Sequence, residues 1–116
     1  MPHILLDTTA NIQENAELPE ILQDLVAELA RHETIQPESI KAYHTLRPVW
    51  VTGTGAPEGF IHCEVAILAG RPLELRRAIS QGIESVLRHH FAASLESGDA
   101  GLTVEIREMD RETYVK

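Results

Sequence analysis

Pro2 is the first residue of the chain with distinctive chemistry, because a proline at an amino terminus is a secondary amine. It directly follows Met1 in the opening sequence MPHILL. A small residue at this position allows the methionine to be removed, which would free the proline nitrogen. An α-amino group ordinarily titrates at about 7.7–8.0, and burial beside cations lowers the pKa of an amine into the range of a general base. The alternative is that Met-Pro is an ordinary start with no catalytic role.

Arg71 is a candidate anion ligand in an otherwise acidic chain. The 116 residues carry 10 basic and 18 acidic side chains, a formal net charge of −8. Four of the ten basic residues lie between positions 71 and 88, and Arg71 stands between Gly70 and Pro72. A guanidinium group at a helix amino terminus suits a carboxylate, since the exposed backbone amides there also favour anions. The alternative is that Arg71 caps a loop or pairs with Glu74.

The composition argues against several other classes of function. Phosphate binding needs a basic face, so the net charge of −8 makes a nucleic-acid partner an unfavourable hypothesis. Cys63 is the single cysteine, and it lies on the apolar face of a predicted strand. His89 and His90 are adjacent on a predicted helix and point in different directions, and there is no HExxH motif. We therefore expect no metal site, and we expect a soluble cytoplasmic protein with no membrane segment.

The first half of the chain has the pattern of a strand, a helix and a second strand. HILLD (3–7) is an almost continuous apolar run, which is typical of a strand buried on both faces. Apolar residues then recur at helical spacing in 18–29, and Pro19 suits the first helical turn. SIKAYHTL (39–46) alternates with the period of a strand. The glycine-rich stretch 51–59 is predicted to be the loop that joins the two halves.

The second half repeats this order. FIHCEVAIL (60–68) is predicted to be a strand, Pro72 to open a helix, and LTVEIR (102–107) to be the last strand. Gly82 leaves room for close packing on that helix. The order of elements fits two stacked parallel βαβ units and equally a ferredoxin-like split-βαβ sheet. In both topologies the helices cover one face of the sheet, so we expect a partner subunit on the other.

Four segments together resemble the 5-carboxymethyl-2-hydroxymuconate isomerase family of the tautomerase superfamily. They are PHILLD at the amino terminus, LAGRPLELRR (68–77), HHFAASLES (89–97) and VEIREM (104–109). The resemblance runs through nearly the whole chain. It implies a single α+β domain over residues 1–116, with half-repeats at about 2–48 and 59–109. The expected fold is two βαβ units that form one four-stranded mixed sheet with two helices on one face.

The resemblance also implies an activity. Members of this family ketonise a hydroxymuconate-type dienol during aromatic-compound catabolism, without metal or organic cofactor, and assemble as trimers. Pro2 matches the family's catalytic proline, and Arg71 matches an arginine that holds a substrate carboxylate. We therefore expect a homotrimeric keto-enol tautomerase that acts on a small anionic dienol.

Lys41 departs from the family pattern, which has an arginine at this place on the second strand. Lysine keeps the charge but loses the planar fork, so a bidentate grip on a carboxylate becomes a point contact. Tyr43 replaces a second arginine two residues further on, and Arg47 on the same strand face could compensate. Lys41 is retained as a substrate-binding candidate, with a solvated surface lysine as the alternative. Two other functions stay open, namely a small-acid-binding trimer with little catalysis and a ferredoxin-like metabolite-binding domain.

Overall fold

The computed structural model describes residues 2–116, which form one four-stranded sheet with its helices on one side. The strands are β1 (His3–Thr9), β2 (Lys41–Arg47), β3 (Gly59–Leu68) and β4 (Ala100–Met109). The α-helices are α1 (Leu18–Ala30), α2 (Leu73–His90) and the short α3 (Ala92–Glu96). Single 3₁₀ turns at Gln13–Glu17 and Pro37–Ser39 precede α1 and β2.

The strand order β2-β1-β3-β4 decides between the two topologies that the sequence left open. β1 is parallel to β2, β3 is parallel to β4, and the central pair β1 and β3 is antiparallel. Each helix therefore connects two neighbouring parallel strands, whereas a split βαβ unit would place another strand between them. The predicted pair of βαβ units in one mixed sheet is confirmed, and the ferredoxin-like alternative is wrong.

The core lies between the sheet and the two long helices. Alternate side chains of β1 and β3 point toward the helices because successive residues of a strand face opposite sides. The buried apolar side chains between the sheet and the helices include Ile4, Leu6, Ile61, Cys63, Val65, Ile67, Ile21, Leu25, Leu29, Ile79, Ile83 and Leu87. A Cβ at Gly82 would collide with the Glu28 carboxylate of α1. The prediction that Gly82 permits close packing of the helices is thus confirmed.

The other face of the sheet is uncovered in the subunit and is more polar than the sequence pattern indicated. Arg47 pairs with Asp7 at 2.9 Å, and Arg107 pairs with Glu64 at 3.0 Å. Tyr43 on this face is 47% exposed. His3, Leu5 and Asp7 of β1 are therefore only half-buried, and the expectation that 3–7 is buried on both faces is wrong for the isolated subunit.

Several element ends differ from the predictions. β2 begins at Lys41, two residues later than expected, because Pro37–Ser39 forms a 3₁₀ turn. β4 is longer than predicted at both ends, since its whole length pairs with β3. Such pairing is set by a distant strand and leaves no local signal in the sequence.

Candidate active site

One end of the sheet brings together the sequence-predicted residues. β1 begins just after Pro2, and His3 pairs with Lys41 at the start of β2 and with Ala66 near the end of β3. The turn that follows β3 contains Arg71. Because parallel β1 and β2 run opposite to β3, the start of the first two strands meets the end of the third. Lys116 reaches the same place. We call the region that contains Pro2, Lys41, Arg71 and Lys116 the cationic end.

A small cavity of about 160 Å³ lies at the cationic end. Its lining comprises Pro2, Thr34, Gln36, Ser39, Leu68 and Arg71, with Lys116 from the segment after β4. Pro2 is buried, and its carbonyl oxygen accepts a hydrogen bond of 3.1 Å from the Lys41 backbone N–H. None of the lining residues is acidic, although acidic residues outnumber basic ones in the chain. The cavity therefore suits a small anion beside Pro2.

Arg71 is held in place by the loop that precedes β2. Its Nε donates to the Thr34 hydroxyl at 2.9 Å, and its terminal nitrogens donate to the carbonyl oxygens of Thr34 and Leu68 at 3.0 and 3.1 Å. Thr34 has a positive φ of 68°, which is rare for a β-branched residue. These bonds use three of the five guanidinium N–H groups and leave two for a ligand. Arg71 thus does cap a loop, as the alternative interpretation expected, and the same bonds fix the position of its guanidinium group.

The guanidinium of Arg71 lies in a partly dehydrated, positive environment. Burial, and to a lesser degree the nearby Arg111, lower the pKa of Arg71 from its ordinary value. The group remains charged at neutral pH because arginine titrates far above it. Burial and the positive charge of Arg111 both destabilise the charged form of Arg71, so binding of a carboxylate would stabilise it.

Lys41 lies at the rim of this cavity and not in its lining. Its side chain is exposed on the open face, and its Nζ donates to the carbonyl oxygen of Ser39 at 3.3 Å. Ser39 does line the cavity, so the ammonium group is next to the cavity wall. Arg47 is six residues further along β2, which corresponds to about 20 Å, and it pairs with Asp7. Within one subunit Arg47 is therefore too far from Lys41 to bind the same carboxylate, and its compensation for the family's arginines stays a prediction.

Lys116 is a cationic lining residue that the sequence did not single out. The segment after β4 folds back over the end of the sheet. Arg111 Nε donates to the Ala69 carbonyl oxygen at 2.5 Å, and the Tyr114 hydroxyl shares a hydrogen bond of 2.8 Å with His3 Nε2. Burial, Lys41 and Arg107 lower the pKa of His3, which keeps the ring neutral at pH 7.

The remaining chemically reactive groups lie away from the cationic end. Burial raises the pKa of the Cys63 thiol to about 12, so this residue is not a nucleophile at neutral pH. Residues 2–116 contain no group of three or more His, Cys, Asp or Glu side chains that could hold a metal ion. No helix in this described part of the chain is long and apolar enough to cross a membrane.

A larger cavity of about 490 Å³ lies between α1 and α2, far from Pro2. Its charged side chains pair with each other, as in His90–Asp24 at 2.7 Å and Arg31–Glu28 at 2.8 Å. It therefore leaves little charge for a ligand, and the smaller cavity is the better candidate.

The fold is shared with solved structures of low sequence identity. The fused 4-OT wild-type symmetric trimer superposes with a TM-score of 0.70 over 98% of this chain and 90% of that chain, at 15% identity. At that identity the likeness concerns the fold alone. It places the chain in the tautomerase fold class, as the resemblance implied.

Family membership follows from closer matches. The sequence model of the family 5-carboxymethyl-2-hydroxymuconate isomerase matches residues 2–116, so the chain belongs to this family of isomerases. The curated 5-carboxymethyl-2-hydroxymuconate Delta-isomerase of Escherichia coli is 29% identical over 94% of this chain and 87% of its own length. A crystal structure of a 5-carboxymethyl-2-hydroxymuconate isomerase from Deinococcus radiodurans R1 is 30% identical, with a TM-score of 0.89 over 99% of this chain and 87% of that chain. The predicted family and enzyme class are confirmed.

Proposed function

We propose that this protein is a cofactor-independent tautomerase in which Pro2 is the general base and the substrate is an anionic dienol of the 5-carboxymethyl-2-hydroxymuconate type. The observation that carries the proposal is the cavity that Pro2 and Arg71 line together without an acidic neighbour. Family membership supports the isomerase chemistry, and the cationic lining supports an anionic substrate. Pro2 and Arg71 supply a base and a carboxylate ligand in one small space.

The reaction needs a single group that carries a proton from one atom to another. With Met1 removed, the unprotonated Pro2 nitrogen takes the proton of the 2-hydroxyl group, so the O–H bond breaks and a dienolate forms. The protonated amine then delivers a proton to C5, where a C–H bond forms as the two double bonds shift. The product is the conjugated ketone, and no electrons are gained or lost. Such a base works best with a pKa near ambient pH, which burial of Pro2 and the adjacent cations favour.

Arg71 and Lys41 have different roles in this scheme. Arg71 directs its two remaining N–H groups at a substrate carboxylate and stabilises the negative charge of the dienolate. Because internal bonds fix its guanidinium, little ordering is needed when substrate binds. Lys41 at the rim makes a point contact with a second carboxylate.

We further propose that the protein acts as a cytoplasmic homotrimer in aromatic-compound catabolism, without a nucleic-acid or membrane partner. The uncovered face of the sheet supports the trimer, since it presents Tyr43 and Leu5 beside paired charges. The net charge of −8 supports the absence of a nucleic-acid partner.

A second candidate function is a small-acid-binding protein of the same fold with little catalysis. Lys41 and Tyr43, which stand where the family pattern has arginines, favour it, because a looser grip on the substrate reduces the stabilisation of the dienolate. The two functions differ in whether Pro2 matters for a reaction rate.

The test is the ketonisation rate of 5-carboxymethyl-2-hydroxymuconate, followed by ultraviolet absorbance, with protein whose intact mass shows that Met1 is absent. We expect a rate well above that in buffer, and a loss of about a hundredfold or more in Pro2→Ala. Pro48→Ala, in the exposed β2–β3 loop, is the matched control and should retain full activity. Equal rates for the wild type and Pro2→Ala would leave only the binding function.

A further inference from the structure

Hydrogen bonds of Arg111 and Tyr114 hold the segment that follows β4 across the cationic end. Arg111 bonds to the carbonyl oxygen of Ala69 in the β3–α2 turn, while Tyr114 bonds to His3 at the start of β1. The rings of His3 and Tyr114 also meet edge to face, with centroids 6.0 Å apart. The segment thus spans from the end of β3 to the start of β1 and has a defined course over the cavity.

Lys116, at the end of this course, lines the cavity beside Pro2 and Arg71. Among residues 2–116 no acidic side chain lies within ion-pair distance of Lys116 or Arg71, although eight other pairs of this kind form elsewhere in the subunit. Two basic residues thus line one small cavity whose described lining has no acidic residue, and Arg111 adds positive charge near Arg71. A bound anion would be stabilised by this positive charge, which is the pattern of a ligand site.

We propose that Lys116 is a substrate-binding residue that pairs with one carboxylate of a multiply charged substrate. The inference rests on the proposed function, in which the substrate has three carboxylates: one at each end of the muconate chain and one on the carboxymethyl group. Arg71 and Lys41 provide for two of them. Lys116 supplies the third cation and makes the site selective for a triacid over smaller anions.

Tyr114 is a positioning residue in this arrangement, because it fixes the segment through His3 and does not itself line the cavity. Removing the Tyr114 hydroxyl would remove the hydrogen bond to His3 that helps to hold the segment in place. The effect of Tyr114 on substrate binding should therefore require Lys116, because the segment positions the ammonium group of that residue.

The experiment compares wild-type protein with Lys116→Gln and Lys116→Arg in the ketonisation of the triacid dienol. An exposed ion pair has a modest energy, so we expect Lys116→Gln to raise KM by about fivefold with kcat nearly unchanged. Lys116→Arg keeps the charge and should retain the wild-type KM. High salt should shrink the difference between the wild type and Lys116→Gln, because exposed charges are screened. Arg88→Gln, which removes a charge from the outer face of α2, is the control for net charge.

Tyr114→Phe should raise KM less than Lys116→Gln does, and the double variant should behave like Lys116→Gln alone. Additive effects of the two substitutions would overturn the positioning role. The same KM for wild type and Lys116→Gln at low salt, with activity intact, would overturn the role of Lys116 and leave the proposed function standing.

A binding measurement tests the role of Lys116 independently of the ketonisation reaction. The probe is the same triacid without its 2-hydroxyl group, which has no enol proton and cannot ketonise. Calorimetry should show weaker binding to Lys116→Gln by about fivefold. If wild-type protein binds the probe in this Lys116-dependent way but does not accelerate ketonisation, the proposed tautomerase function fails and the Lys116 subsite stands. Equal binding of the probe to both proteins overturns the subsite.

Discussion

At the end of the sheet where β1 stops, polar side chains are paired with one another, whereas at the cationic end the charged side chains have no acidic partner among residues 2–116. We call the first region the paired end and define it by Thr8, Glu14, Asn15, His44 and Ser94. The Thr8 hydroxyl bonds to both Asn15 and His44, at 2.6 and 2.7 Å. Glu14, which is 6% exposed, accepts hydrogen bonds from the backbone N–H and the hydroxyl of Ser94.

This difference distinguishes polar groups that stabilise the subunit from polar groups that can bind a ligand. Burying a polar group is costly unless it is hydrogen-bonded, and at the paired end each such cost is offset inside the chain. Within residues 2–116 no buried side-chain nitrogen or oxygen atom lacks a partner. At the cationic end Arg71 keeps two N–H groups beyond those bonded within the described chain, and it lines a cavity together with Lys116. Substitutions at the paired end should therefore change stability, and those at the cationic end should change catalysis.

Apart from loss of the Pro2 base, the largest effect is expected at the cationic end, from Arg71→Gln. Loss of a charged hydrogen-bond pair to the substrate removes about 2–3 kcal/mol, so kcat/KM should fall roughly thirty- to hundredfold. Arg71→Lys should recover only part of this loss, because lysine lacks the planar fork. Steady-state kinetics give the comparison, with Arg88→Gln as the control. Unchanged kcat/KM in Arg71→Gln would remove Arg71 from the site.

At the paired end, Ser94→Ala should lower the free energy of unfolding by about 2 kcal/mol. The substitution leaves the buried Glu14 carboxyl group without its side-chain donor, and hydrogen bonds to such groups contribute about 1.5–3 kcal/mol. Urea denaturation measures the change, and kcat/KM at a temperature where the variant is folded should stay at the wild-type value. Ser80→Ala is the control, since its hydroxyl bonds to its own helix on the surface. A large loss of kcat/KM in folded Ser94→Ala would break the distinction between the two ends.

The smallest effect concerns the pH dependence of stability at the paired end. Burial lowers the pKa of His44, against an opposing influence of Asp7. Because the unfolded chain then binds a proton more readily than the folded one, stability from this group is present above about pH 6.5 and is lost as the pH falls below it. Urea unfolding at a series of pH values should show a shallower loss in His44→Gln than in wild type. An identical slope for both proteins would show that His44 is not a source of the pH dependence.

The sequence predicted the elements and three of the four residues of the cationic end, Pro2 and Arg71 from local signals and Lys41 through the family resemblance. Apolar spacing identified α1 and α2, and Pro2 and Arg71 stood out by residue type beside an element boundary. The strand order needed the structure, since two topologies share one order of elements. Lys116 was missed because the fold of its segment depends on Tyr114 and His3, which are 111 positions apart. Glu14 and Ser94, 80 positions apart, were missed for the same reason.

The role of Pro2 as the general base is tested most directly by comparing two forms of the wild-type chain that differ only in Met1. One form is processed, with Pro2 as a secondary amine, and the other retains Met1, so that the Pro2 nitrogen is an amide without basicity. Both are checked by intact mass, and both are assayed for ketonisation of 5-carboxymethyl-2-hydroxymuconate. We predict that the processed form is faster by about a hundredfold or more, with the same fold by circular dichroism. Equal rates in the two forms would contradict the role of Pro2 as the base.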